Sequence, residues 1–169
     1  EHQINLIPVL VKTLTEAGDF ARTETKVKVK INETEIDQIL KNESELLPHF
    51  KEFISNAKKP DVDYIAVTVG PGLEPALWVG INFARALSHV WNIPIVPCNH
   101  MEGHVLTALI EKEKAGDYKL LDKKISYPAL SLLISGGHTQ IVLVEKIGNY
   151  KIVGETRDDA VGECFDKIA

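Results

Sequence analysis

The sequence predicts an α/β fold built on a largely parallel sheet. Two observations predict it. Between residues 62 and 114, apolar runs of strand length alternate with segments of helical period: "VDYIAVTVGPG", "PALWVGINFARALSHVW", "IPIVPCN" and the stretch that opens with "NHMEGH". Strands and helices in that alternation form crossover units with parallel strands. The second observation is composition: 44% hydrophobic content over 169 residues is normal for one packed core, or slightly more than one domain.

Taken in order, "HQINLIPVLVKTLTEAG" reads as a helix, since Leu6, Leu10 and Leu14 recur every four residues and Gly18 is a natural stop. Residues 19–42 are polar and irregular. Within them "TKVKVKI" alternates, which predicts a short strand with Lys26, Lys28 and Lys30 on one face, a pattern that protects a sheet edge or contacts RNA. "ESELLPHFKEFISNA" reads as a second helix, with Pro48 marking a late start or a disruption and His49 on the surface. "VDYIAVTVGPG" reads as a buried strand entering a Gly-Pro-Gly turn, and the helix after it starts near Pro75, where proline suits a first turn. "IPIVPCN" is the next strand, and a helix runs from about 99 to 114. "YPALSLLI" and "TQIVLVEKI" are strands on either side of an "SGGH" hairpin turn, "YKIVGET" is a further strand, and a last helix begins near Asp158. The chain opens at Glu1 already in a helical pattern and stops inside another, which reads as a fragment of a longer protein.

Several function classes are disfavoured. No apolar run approaches the ~18 residues a membrane span needs, and no signal peptide is expected. Two cysteines, Cys98 and Cys164, are too few for a disulfide framework, so a cytoplasmic setting is expected, with both packed as apolar residues rather than acting as nucleophiles. A net charge of −5 argues against strong nucleic-acid binding by this chain alone, without excluding a local basic patch.

Four stretches bear on candidate chemistry. In "NHMEGHVLTAL", His100 and His104 lie about 40° apart around a helix and about 6 Å apart along it, so both imidazoles can reach one ion. Glu102 falls about 200° round from His100, unlike the H-E-x-x-H arrangement in which the glutamate serves as base on metal-bound water. Spacing alone leaves both a metal pair and ordinary surface histidines open. In "LISGGHTQ", Gly136 and Gly137 can expose consecutive N–H groups as an anion nest, with hydroxyls from Ser135 and Thr139, or simply form a Gly-Gly hairpin. "GPG" at 70–72 precedes a helix N-terminus but lacks phosphate-loop spacing, which favours a structural turn. In the last helix, Val161, Phe165 and Ile168 share a face expected to pack inward. Asp159, Gly162, Glu163 and Asp166 share the other. That second face is either a solvated acidic surface or one where Gly162 leaves room for a ligand and Asp166 accepts hydrogen bonds from it.

"EHQINLIPVL", "VTVGPGLEPALWVG", "NHMEGH", "LISGGHTQ" and "GETRDDAVGECFDKIA", in this order, resemble the tRNA adenosine threonylcarbamoyltransferase family, the TsaD, Kae and Qri group formerly described as O-sialoglycoprotein endopeptidases. The resemblance covers residues 2–18 and 43–169 and leaves 19–42 as an unplaced, variable insertion in a partial domain spanning 1–169. It implies an actin-like, Hsp70-like ATPase fold, here incomplete. It implies transfer of threonylcarbamoyl from threonylcarbamoyl-adenylate to the exocyclic amine of the adenosine 3′ of the anticodon in tRNA. It also implies one divalent metal ion, iron or zinc, on His100 and His104, an ATP or adenylate nucleotide, and partner proteins of the threonylcarbamoyladenosine synthesis complex. By the same resemblance Leu133, Ile134, Ser135, Gly136, Gly137 and Asp166 contact substrate. The family's first strand and acidic phosphate segment would precede Glu1, and an aspartate metal ligand would follow Ala169. Two other readings compete: a metallopeptidase, which needs a base beside the ion, and a non-catalytic paralogous partner subunit, which has no use for a metal pair.

Overall fold

The computed structural model describes residues 2–18, 33–112, 118–120 and 125–168. The chain is mixed α/β and divides into two compact units, Glu1–Asn99 and His100–Ala169.

In the first unit, α1 (His2–Glu16) follows the leucine period: Leu14 is buried, and Leu6 and Leu10 pack against the same core. It stops before Gly18, whose φ of +78° only glycine adopts without strain. The irregular chain expected over 19–42 gives way in part to α2 (Glu33–Ile39), anchored by Ile36 and followed by the fully buried Leu40. The "TKVKVKI" stretch lies outside the described residues. In α3 (Leu46–Asn56), Pro48 is the third residue, where its missing N–H costs no helical bond; the helix starts three residues into the predicted stretch, the late start the proline marked, and is not disrupted by it. His49 is exposed, as expected.

β1 (Ile65–Gly70), α4 (Glu74–Trp91) and β2 (Ile95–Asn99) form the expected crossover, with the strands parallel and Ile65 opposite Ile95. α4 directs Phe83, Ala86, Leu87 and Trp91 inward. Phe83 meets Phe50 edge-on at 6.0 Å, and Trp91 meets Phe53 at 6.1 Å. Such pairs add to the burial of both rings. Beside them the buried Asn82 amide donates to Glu43 Oε1 at 3.1 Å, and Asn82 Oδ1 accepts from Arg85. β1 is not the buried strand the sequence suggested. Ile65 and Val67 are half-buried, while Ala66, Thr68 and Val69 are exposed, because α4 covers one face of this two-stranded sheet.

In the second unit, α5 (His100–Thr107) is half the length expected for the 99–114 helix. Residues after Leu109 instead form β3 (Ile110–Lys112), antiparallel to β4 (Tyr118–Leu120), with Glu111 opposite Lys119. A cross-strand pair of opposite charge supports that register, and the leucine and isoleucine period that mimicked a longer helix is overridden by strand pairing. β5 (Ala129–Ile134), β6 (Thr139–Lys146) and β7 (Asn149–Glu155) make an antiparallel sheet in the order β5-β6-β7. The predicted hairpin about "SGGH" is present; the largely parallel sheet is not. Among the described residues one strand pair is parallel and the other two sheets are antiparallel, since local alternation cannot tell a crossover from successive hairpins.

The β5–β7 sheet has two unlike faces. Leu133, Val142 and Val144 are buried against Val105 and Met101 of α5. Leu130, Leu132 and Ile134, alternating with them, are 69%, 61% and 54% exposed. The last helix, α6 (Val161–Ile168), starts three residues later than expected, and its apolar stripe is not packed inward. Phe165 and Ile168 are 68% and 77% exposed, while Gly162 faces the protein. Cys164 is exposed rather than packed, and Cys98 is half-buried.

Candidate functional site

All the site residues the sequence singled out fall in the second unit. His100 and His104 occupy successive turns of α5 on its exposed side, as the spacing required. Their rings meet edge-on with centroids 4.5 Å apart, and the two Nε2 atoms stand 3.2 Å from each other. One imidazole N–H can donate to the other at that distance. The same separation fits a shared ion, because two nitrogens each about 2.0–2.1 Å from a tetrahedral metal stand roughly 3.3 Å apart. The donor set therefore fits a divalent metal, with the two nitrogens as part of its shell. Among the described residues no third His, Cys, Asp or Glu joins them.

Glu102 turns the other way. It is half-buried, and its carboxylate lies by the phenol of Tyr150 on β7. Burial raises the Tyr150 pKa above its ordinary 10.0; the Gly148 backbone opposes the shift and the Glu102 carboxylate adds to it. The folded state thus favours the neutral phenol. Its contribution to stability should be intact below about pH 10 and should be lost as pH rises through the elevated folded value. Urea unfolding between pH 8 and 11 should show a steeper alkaline loss in the native chain than in Tyr150→Phe.

The "SGGH" turn is tied together by its own hydroxyl. Ser135 N–H donates to the His138 carbonyl at 2.8 Å, and His138 N–H donates to Ser135 Oγ at 3.0 Å. Ser135 Oγ also lies 3.3 Å from the His138 carbonyl, toward which its proton can point. That hydroxyl shapes the turn. Thr139 Oγ1 accepts from Val161 N–H at 2.9 Å, which caps the start of α6 and keeps the threonine proton available. Thr139→Val should leave that N–H unpaired and cost about 1 kcal/mol, read as a lower urea midpoint; an unchanged midpoint would count against the cap.

Gly136 and Gly137 are exposed, with nothing within 4 Å of the Cβ position of either. Neither amide takes part in the turn's hydrogen bonds. Leu133 is 8% exposed and offers only backbone, whereas Ile134 is exposed. Gly162 does not leave space for a ligand, as one reading of the sequence had it. A Cβ there would stand 2.7 Å from the Ser135 carbonyl oxygen and 2.9 Å from Gly136 Cα, so the glycine lets α6 touch the turn. Asp166 is one helical turn beyond Gly162 on the same stripe of α6 and is exposed. The structure therefore brings together the glycine turn, Thr139 and the start of α6. Thr156 was not singled out by sequence; its hydroxyl donates to the Asp159 carbonyl at 2.9 Å and shapes the approach to α6. A threonine two residues before an Asp-Asp pair was the available signal, as a local side-chain turn.

A family model described as tRNA N6-adenosine threonylcarbamoyltransferase matches residues 41–169. Curated relatives carry the same description. The protein from Streptococcus uberis is 51% identical over 108 residues, covering 64% of this chain and 29% of that protein. The one from Chromobacterium violaceum is 50% identical over 112 residues, 66% of this chain and 30% of its own length. The one from Streptococcus suis is 49% identical over 108 residues, covering 64% and 29%. The aligned stretch thus spans less than a third of the curated relatives it matches.

Proposed function

The chain belongs to the tRNA N6-adenosine threonylcarbamoyltransferase family, and from that premise we propose that it takes part in transferring threonylcarbamoyl from threonylcarbamoyl-adenylate to the exocyclic amine of the adenosine 3′ of the anticodon in tRNA. The observation that carries the reading is the family match over residues 41–169. The finer assignments are an actin-like, Hsp70-like fold, an adenylate or ATP ligand, partner proteins of the synthesis complex and a cytoplasmic setting. They rest on the same membership. No helix among the described residues is long and apolar enough to cross a membrane.

In this reading His100 and His104 hold one divalent ion, iron or zinc, through their Nε2 atoms. Bound there, the ion supplies Lewis acidity toward substrate oxygens. The chain's own residues do the positioning. The reaction joins a weakly nucleophilic amine to an activated carbamoyl carbon, so its rate depends on alignment and on donors placed where charge develops. The Gly136 and Gly137 N–H groups and the Thr139 hydroxyl are donors beside the positive end of α6, suited to phosphate oxygens of the adenylate. Asp166 is a carboxylate acceptor for ligand hydroxyls. Leu133 and Ile134 bring the turn to its place through the β5–β6 ladder, where they pair with Gln140 and Thr139.

The metallopeptidase reading is not favoured: Glu102, the one carboxylate between the histidines, lies at Tyr150, away from the imidazole pair. Nor is the non-catalytic partner, since the relatives are described as transferases. The deciding experiment supplies the complete native polypeptide with threonylcarbamoyl-adenylate, partner proteins and unmodified tRNA. Modified adenosine is the expected product. Cleavage of a sialoglycoprotein without tRNA modification would sink the proposal.

A further inference from the structure

α5 has eight residues, too few to persist on its own backbone bonds. Its orientation must come from what its inner face touches. Met101 and Val105, four apart, form that face and pack in one cluster with Tyr150. Glu102 stands next to Met101 and is also half-buried. The Tyr150 hydroxyl is enclosed with no hydrogen-bond partner among the described residues, and the Glu102 carboxylate and the Gly148 backbone are the groups near enough to act on its proton. An enclosed phenol needs an acceptor for its proton, and the carboxylate from α5 is the group placed to take it. His100 and His104 are exposed, with their Nε2 atoms already 3.2 Å apart.

We propose that Glu102 is a positioning residue: through Tyr150 it fixes the rotation of α5 on the β5–β7 sheet, so that His100 and His104 are presented outward and preset for one ion. The inference rests on the metal reading of the histidine pair. It assigns the glutamate of "HMEGH" an anchoring role on the side of the helix opposite the ion, acting through the helix and not as a ligand or base. Contacts behind a metal ligand commonly tune affinity in this way, at about 10–100-fold per partner removed.

The test uses the complete native polypeptide and four variants: Glu102→Ala, Glu102→Gln, Tyr150→Phe and the Glu102→Ala/Tyr150→Phe double. Zn2+ binding is measured by calorimetry, and amide exchange in α5 is followed without metal. Glu102→Ala and Tyr150→Phe should each weaken Zn2+ binding by about tenfold. The double should be no weaker than the weaker single, because both remove one contact. Glu102→Gln should recover most of the affinity, since an amide oxygen also accepts the phenol proton. Exchange in α5 should quicken in both single variants. Additive losses in the double, or unaltered α5 exchange in both singles, would overturn the inference. A native protein that takes up no Zn2+ would instead sink the metal reading, and the exchange of α5 would then decide the anchoring alone.

Discussion

On the proposed function, His104→Ala should leave the complete native polypeptide folded but without stoichiometric metal, and threonylcarbamoyl transfer to tRNA should fall by more than about a hundredfold. The magnitude follows because partners one step behind a ligand already cost 10–100-fold, and here a ligand itself is lost. The fold survives because the side chain is exposed on α5, so its removal opens no cavity. Alanine is also the better helix former, by a few tenths of a kcal/mol or more. His100 loses its neighbour at 3.2 Å and is left as a single donor, which cannot define a tetrahedral site. His49→Ala, on the exposed side of α3, is the control and should change neither metal nor rate. Metal analysis paired with transfer assays reads the outcome. A His104→Ala protein that is metal-free and fully active would make the two histidines ordinary surface residues.

Gly162→Ala should be the most damaging single-methyl change in α6. Helix propensity argues the other way, since replacing glycine by alanine inside a helix gains about 1 kcal/mol. Packing decides the sign. The added carbon would stand 2.7 Å from the Ser135 carbonyl oxygen, 2.9 Å from Gly136 Cα and 3.0 Å from Gly136 N. These are backbone atoms, which cannot rotate aside as a side chain could. Overpacking costs about 1–3 kcal/mol, and a rigid neighbour puts this case toward the upper end, for a net loss of about 1–2 kcal/mol after the propensity gain. The strain is relieved by moving α6 off the turn, which breaks the Val161–Thr139 bond and displaces Gly136. A lower urea midpoint together with a raised KM for threonylcarbamoyl-adenylate is expected. A more stable protein with unchanged KM would show that the contact is soft and that propensity wins.

How far the sequence disclosed the site depended on how local each feature was. The histidine pair was legible because i, i+4 spacing on a helix fixes two side chains on one side, whatever surrounds them. The "SGGH" hairpin was legible for a similar reason: two alternating apolar runs and a glycine pair are enough to define it. The faces of α6 were not. Val161, Phe165 and Ile168 make a convincing inward stripe on paper, but the missing side chain of Gly162 sets which side approaches the turn, and that contact is 26 residues distant in sequence from Gly136. The end of α5 was misread because Leu106, Leu109 and Ile110 continue a helical period while Ile110–Lys112 has strand partners six to ten residues further on. The role of Ser135 was half visible. Its hydroxyl was expected near an anion, and only the bond from His138 N–H shows it committed to the turn. The resemblance supplied what periodicity could not, because the order of five motifs is specific where each motif alone is not.

β5 has a bearing on how this protein behaves when heated. Its six residues carry no charge, it pairs only with β6 among the described residues, and Leu130, Leu132 and Ile134 line its outer face. An uncharged apolar edge is a template for pairing with the same strand of another molecule. Once the chain opens, molecules that meet through this strand leave the reversible equilibrium. Loss of the native state on warming should then be a one-way process, with an apparent midpoint that shifts with scan rate and protein concentration. What such a scan records is a lifetime set by the barrier to opening rather than a free-energy difference.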